Sequence, residues 1–167
     1  MPTPIILAIE RIRSITIYLR WKNDKKFGKD NFLKNTNNLK GKFNNKRCVI
    51  IGNGPSLNKI DLSLLKNEYT FGLNRIYLLF EKMGFQTDFL VSINRFVIDQ
   101  FHAEMTSTSS KKFFHYKYKN LINDSKASFV AQSIYGPSYF ANPDKGFLSY
   151  SGSVTFLAVQ LLSLIHI

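Results

Sequence analysis

Apolar residues recur at three- and four-residue spacing over residues 4–22, where Ile5, Ile9, Ile12, Ile15 and Leu19 fall along one side of a helix. Ile6, Leu7, Ile17 and Tyr18 widen that side, and Arg11, Arg13, Arg20 and Lys22 supply charge. The segment therefore reads as a basic amphipathic helix. Its apolar side can meet an anionic membrane surface or a partner, or it can pack on the body of its own chain. Over residues 23–47 the periodicity fades into Asn, Lys and Gly, and the stretch reads as a linker.

From Arg47 onward, short apolar runs alternate with helical periodicities. Arg47–Gly52 is a β-branched run closed by a glycine-rich turn, and Tyr69–Leu73 and Asp88–Ile93 follow as second and third strands. Between them lie predicted helices over Leu57–Asn67 and Arg75–Met83, the second closed by Gly84. Phe96–Met105 predicts another helix, Lys112–Tyr116 and Phe129–Ile134 two more strands, Gly136–Lys145 a loop, and Ser153 the start of a last helix. Strands alternating with helices of about ten residues predict βαβ units. The expected fold class is α/β: a Rossmann-like, mostly parallel sheet with flanking helices, truncated at its C-terminus and preceded by the basic helix.

Composition changes this picture at three points. With 44% hydrophobic and 14% aromatic residues the chain can build a packed core. The net charge of +12 is lopsided: residues 1–47 carry 12 basic and 3 acidic side chains, so the excess belongs to the N-terminal extension. It suits an anionic membrane surface or an acidic partner, and no nucleic-acid motif accompanies it. The single cysteine, Cys48, opens an apolar run and reads as a small buried hydrophobe. No run approaches the ~20 apolar residues of a spanning helix, and the start lacks a signal peptide's charged region. The expected location is cytoplasmic, with residues 4–22 able to hold the protein at the inner membrane.

The candidate chemistry lies at the strand ends. Each of the first three predicted strands runs into asparagine: Asn53, Asn74 and Asn94. In an open parallel sheet, ligands sit beyond the carboxyl ends of the strands. Three carboxamides there offer donors and acceptors without charge, which suits base edges, ribose hydroxyls and phosphate oxygens better than a hard-metal cage. The loop Gly52-Asn53-Gly54-Pro55-Ser56 lets the backbone approach a ligand, and Pro55 suits the first turn of a following helix whose free N–H groups attract anions. It is neither a P-loop nor the full G-x-G-x-x-G fingerprint, and a tight structural turn is the competing reading. Asn tolerates left-handed backbone, so Asn74 and Asn94 can equally be turn residues. Ser151 and Gly152 precede the last helix as a second anion site or a simple cap. Arg75 and Arg95 follow two of the asparagines and can neutralise phosphate or form surface pairs. His102 and His115 share no ligand spacing with Cys48 and read as structural, Asp99 and Glu104 as solvated helix charges. No metal site is expected.

The run Cys48-Val-Ile-Ile-Gly-Asn-Gly-Pro-Ser-Leu57, with Phe71-Gly-Leu-Asn-Arg-Ile-Tyr77 downstream, resembles the 6-hydroxymethylpterin diphosphokinase MptE-like family over roughly residues 47–161. That family is similar to bacterial sialyltransferases that use CMP-sialic acid and to motility accessory factors. The resemblance implies nucleotide contacts at Asn53, Gly54, Ser56, Asn74, Ser151 and Gly152, and less firmly at Asn94. It assigns no catalytic base, because the region where those relatives place a histidine lies past this chain's end. The final hexapeptide, Leu162-Ser-Leu-Ile-His-Ile167, resembles the translated end of a sequencing transposon. The expected organisation is therefore a helix and linker over 1–46, a partial nucleotide-binding domain over 47–161, and adapter sequence over 162–167.

These readings make a nucleotide-binding transferase the expectation, inactive as this fragment stands. The first form is a glycosyltransferase-like enzyme using a CMP-type nucleotide sugar for surface glycans, with no tightly bound cofactor. The alternative is an MptE-like diphosphokinase moving pyrophosphate from ATP, with Mg²⁺, to a pterin alcohol. A third is a non-catalytic nucleotide-binding module tethered by the basic helix.

Overall fold

The computed structural model describes residues 4–29, 31–133, 147–149 and 153–166. Six strands form one sheet in the order of the sequence: β1 (Cys48–Ile51), β2 (Tyr69–Leu73), β3 (Phe89–Ser92), β4 (Lys111–His115), β5 (Ala127–Ser133) and β6 (Phe147–Ser149). Every neighbouring pair is parallel. Parallel neighbours need a crossover connection, and right-handed crossovers between successive strands place the connecting elements on one face. That face carries the 3₁₀ turns Pro55–Lys59, Leu62–Leu65 and Ile76–Leu79, then α3 (Phe80–Met83) and α4 (Arg95–Ser107). Its core joins Ile51, Leu90, Phe114 and Phe129 of the sheet to Leu62, Ile76, Met83, Ile98 and Met105. The α/β, Rossmann-like expectation holds. Strand order does not reverse among the described strands, so the usual doubly wound switch point is absent from them.

The second face is covered by α2 (Asn31–Asn37) and α5 (Val154–His166). Phe32 and Leu39 pack there with Phe71, Phe89, Val91 and Phe113, and Leu157, Leu161, Leu164 and Ile165 complete the layer. Residues 23–47 are thus more than a linker. Asn31 Nδ2 donates to the Ala127 carbonyl at 2.9 Å and Asn35 Nδ2 to Ser128 Oγ at 3.0 Å, stitching α2 to β5. Polar composition hid this helix, because its buried face rests on a few residues, Phe32 and Thr36 among them. From the end of β6, α5 runs back across β3 and β2 to β1.

Two predicted helices are shorter than their periodicity suggested. Leu57–Asn67 splits at Asp61, whose carboxylate accepts from Ser63 N at 3.0 Å and starts a separate turn. Ile60 and Leu64, 54% and 79% exposed, are periodic without being core. The Arg75–Met83 segment begins as a 3₁₀ turn and becomes α-helical at Phe80. Gly84 closes it in left-handed conformation, φ 71°, as its position predicts. The predicted loop over 136–145 lies outside the described residues. β6 escaped the sequence reading because only three of its residues pair.

At the N-terminus, α1 (Pro4–Lys26) is a single helix. Trp21 and, less deeply, Ile17 enter the first core. Asp24 fixes this end by accepting from Tyr116 Oη and Lys119 Nζ, each at 2.5 Å. Burial opposes ionisation of Asp24, but these two bonds and the nearby lysine charge outweigh it and hold the carboxyl below its ordinary range. Ile5, Ile9, Ile12, Ile15 and Leu19 do not pack on the domain; they face solvent.

Candidate functional site at the carboxyl edge

The three asparagines fall just past the carboxyl ends of three adjacent strands. The β1–β2 register pairs Ile51 with Gly72, and the β2–β3 register pairs Leu73 with Val91. One step further, the Asn74 amide donates to the Val91 carbonyl at 2.8 Å. The register thus brings the starts of the three loops side by side. Asn53 and Asn94 are exposed and Asn74 is half-buried.

Each of the later two asparagines has a local duty. Asn74 adopts left-handed backbone, φ 49°, and its Oδ1 accepts from Ser92 Oγ at 3.2 Å. Asn94 caps α4: its Oδ1 accepts from Phe96 N at 2.9 Å and Val97 N at 3.3 Å. The turn and cap readings are therefore real. They also fix which atoms remain. With both oxygens engaged inside the chain, the Nδ2 groups of Asn74 and Asn94 are the ends without an acceptor among the described residues. Asn94 Oδ1 has both lone pairs engaged and presents its amide donors outward, whereas Asn74 Oδ1, with one bond accepted, keeps one acceptor position.

Arg75 and Arg95 separate clearly. Arg95 Nε lies 3.4 Å from Asp99 on the solvated side of α4, one turn away. Arg75 has no acidic partner among the described residues. Its guanidinium sits 3.7 Å over the Phe101 ring, where α4 departs from helical geometry, and its Nε is buried without a hydrogen-bond partner. Stacking restrains the side chain without consuming its charge. Sequence reasoning gave the two arginines equal weight; only the neighbour four residues on distinguished Arg95, and Phe101 carried no signal.

The glycine loop differs from its sequence reading. Pro55 begins a 3₁₀ turn of five residues whose cap, Gly54, makes no side-chain bond, and Ser56 does not cap it. So short a turn carries little dipole, which removes the helix-terminus argument for anion binding here. The glycines have another meaning. Gly54 lies at φ −77°, ψ 156°, ordinary extended backbone. Neither Gly52 nor Gly54 has positive φ, a Cβ at Gly52 would meet nothing within 4 Å, and one at Gly54 only Ser56 Oγ at 3.8 Å. Turn geometry and packing therefore do not demand glycine at either position. Residues 52–56 form a fully exposed strip without side chains at two of five positions.

The edge has a charge character of its own. Residues 52–56, 74–75 and 93–95 include no carboxylate. Three acids lie at the opposite, amino edge: Glu68 pairs with Arg47, Asp88 accepts from Thr70 N at 2.8 Å, and Asp124 meets the buried Lys112 at 2.9 Å. A groove of about 790 Å³ also lies at that amino edge, along Lys46–Val49, Leu65 and Leu162. It shares no residue with the asparagine site, which is an open shelf among the described residues. No group of three potential metal ligands exists among them. An edge without carboxylates is a poor match to a divalent cation, whose sites are built largely on them.

Cys48 is half-buried, and burial followed by the charge of Asp88 pushes its thiol up to about 11, so it is no nucleophile. His115 is buried; desolvation, then Lys117, lowers it to about 4, and its Nδ1 accepts from Lys117 N at 3.2 Å. Ser151 and Gly152 lie outside the described residues. Ser153 Oγ accepts from Phe156 N at 3.5 Å and caps α5. A family model described as 6-hydroxymethylpterin diphosphokinase MptE-like matches residues 22–167. No curated protein and no solved structure matches the chain.

Proposed function

The chain belongs to the 6-hydroxymethylpterin diphosphokinase MptE-like family, a transferase family by its description, and from that premise we propose that it binds a nucleoside triphosphate on the carboxyl edge of β1–β3 for diphosphoryl transfer to a pterin-type alcohol. The supporting observation is a carboxylate-free shelf with outward hydrogen-bond donors: the Nδ2 groups of Asn74 and Asn94, the exposed Gly52–Gly54 backbone and the stacked Arg75. Such a surface repels nothing about a polyphosphate and offers fixed hydrogen bonds to its oxygens. In the transfer, the alcohol oxygen attacks the β-phosphorus and gives up its proton to water, the bond from that phosphorus to the α-bridging oxygen breaks, and the nucleoside monophosphate leaves with the electron pair. Arg75 and the amides would stabilise the charge that develops on the phosphate oxygens. Magnesium, which would supply charge neutralisation in such a transfer, has no carboxylate to hold it among the described residues of this shelf.

One observation favours a second reading. A shelf of amides without carboxylates also suits a nucleoside monophosphate bearing a sugar, which needs no metal. Calorimetry with ATP plus magnesium and with CMP alone separates the two. ATP binding without CMP binding is the expected result. CMP binding without ATP binding establishes the sugar-transfer reading, and a chain that binds neither nucleotide has no such site. Arg75→Gln should weaken the phosphate-bearing ligand by at least tenfold, the scale of one charged hydrogen bond, and leave binding of the parent nucleoside unchanged.

A further inference from the structure

We propose that α1 lies in the plane of an anionic membrane and binds it through the face that turns away from the domain. The helix has two opposite sides in use. Toward the body it sends Ile17, Trp21 and Asp24, which reach the first core and the Tyr116–Lys119 pair. On the other side Ile5, Ile12, Ile15 and Leu19 are 72, 65, 58 and 57% exposed, and Ile9 is 43% exposed. At 100° per residue these five side chains fill one sector roughly 120° wide. Contiguous exposed aliphatic surface of this kind marks an interaction face.

The rims of the sector identify the partner. Arg13 and Arg20 border it on one side, Arg11 and Lys22 on the other, and all four are exposed. Arg20 and Lys22 have no acidic partner among the described residues. An apolar sector flanked by cations on both sides is the pattern that sinks to the headgroup boundary of an anionic bilayer. No described helix is long and apolar enough to cross a membrane; α1, at about 35 Å, would lie along the surface. A second copy is disfavoured, because two such faces would oppose their cationic rims in a chain of net charge +12. Nucleic acid would use the cations but leave the aliphatic sector unburied.

Co-sedimentation of the whole chain with phosphatidylcholine vesicles, with and without phosphatidylserine, tests this. Binding should require phosphatidylserine. Ile9→Glu/Ile12→Glu should weaken it by more than a hundredfold, and Arg20→Gln/Lys22→Gln by roughly twenty-fivefold, about fivefold for each cation. All these positions are exposed, so circular dichroism should show the fold unchanged. Three outcomes overturn the proposal: no binding to either vesicle; binding that survives the glutamate pair but not the glutamine pair, which is attraction without insertion; or a dimer in light scattering that the glutamate pair dissolves, which makes the face a contact between copies.

Discussion

At the residue scale, local duty and outward chemistry are coupled. Asn74 and Asn94 serve a turn and a cap through their oxygens, and their nitrogens have no acceptor among the described residues. The sequence posed these as competing explanations, when one atom of each side chain satisfies each. Hydrogen-bond direction, which no residue pattern encodes, establishes the turn and cap roles and makes them compatible with the proposed contacts. His115 shows a similar limit: its position was legible, its environment was not. Its buried ring stays neutral down to about 4, below the ~6.5 of an exposed histidine. The unfolded chain therefore takes up a proton first. The stability this neutral ring contributes is present above about pH 6.5 and is lost as pH falls toward 4, by about 3 kcal/mol in total. His115→Asn keeps an acceptor for Lys117 N and removes the titration. Chemical denaturation across that window should show the parent losing stability more steeply than the variant; parallel curves would refute a neutral buried ring.

At the element scale, strands were readable and short helices were not. β1 to β5 announce themselves as apolar runs, because parallel strands are covered on both faces. The connections between β1 and β2 carry helical spacing yet form 3₁₀ turns, and Asp61, bonded to Ser63, starts a new turn instead of continuing a helix. α2 was missed because polar residues dominate it and its anchors are Asn31 and Asn35 on β5. Gly72 carries a constraint that appears only in packing. A Cβ there would lie 2.3 Å from Ile76 Cγ2 and 2.8 Å from Thr87 Oγ1, so the 3₁₀ turn rests directly on the strand. Gly72→Ala should cost roughly 2–3 kcal/mol by overpacking, read as a fall in Tm of several degrees. A Tm within one degree of the parent would show that Ile76 yields freely.

At the scale of the whole molecule, charge is sorted. Glu68, Asp88 and Asp124 lie at the amino edge of the sheet, the strand-end residues 52–56, 74–75 and 93–95 carry no acid, and the largest basic excess is on the N-terminal extension. The extension's charge and the loop's glycines were both visible in the sequence. Their placement was not: the periodic face of α1 could have been core, and the Gly52–Ser56 loop could have been a turn that requires glycine. The first lies in solvent and the second leaves its glycines without a structural demand. The proposed site accounts for them, because glycine lets a ligand approach the backbone closely.

Gly52→Ala/Gly54→Ala puts that claim to its most direct test, because stability and binding should part company. Differential scanning calorimetry with and without ATP reads both at once. The parent Tm should be matched or slightly exceeded by the double variant without ligand, since alanine fits this backbone and restricts the unfolded chain. The upward shift that saturating ATP gives the parent should fall by the equivalent of at least a tenfold loss in affinity, about 1.4 kcal/mol. A double variant that unfolds early yet keeps its ATP shift would make the loop a structural turn and contradict the site.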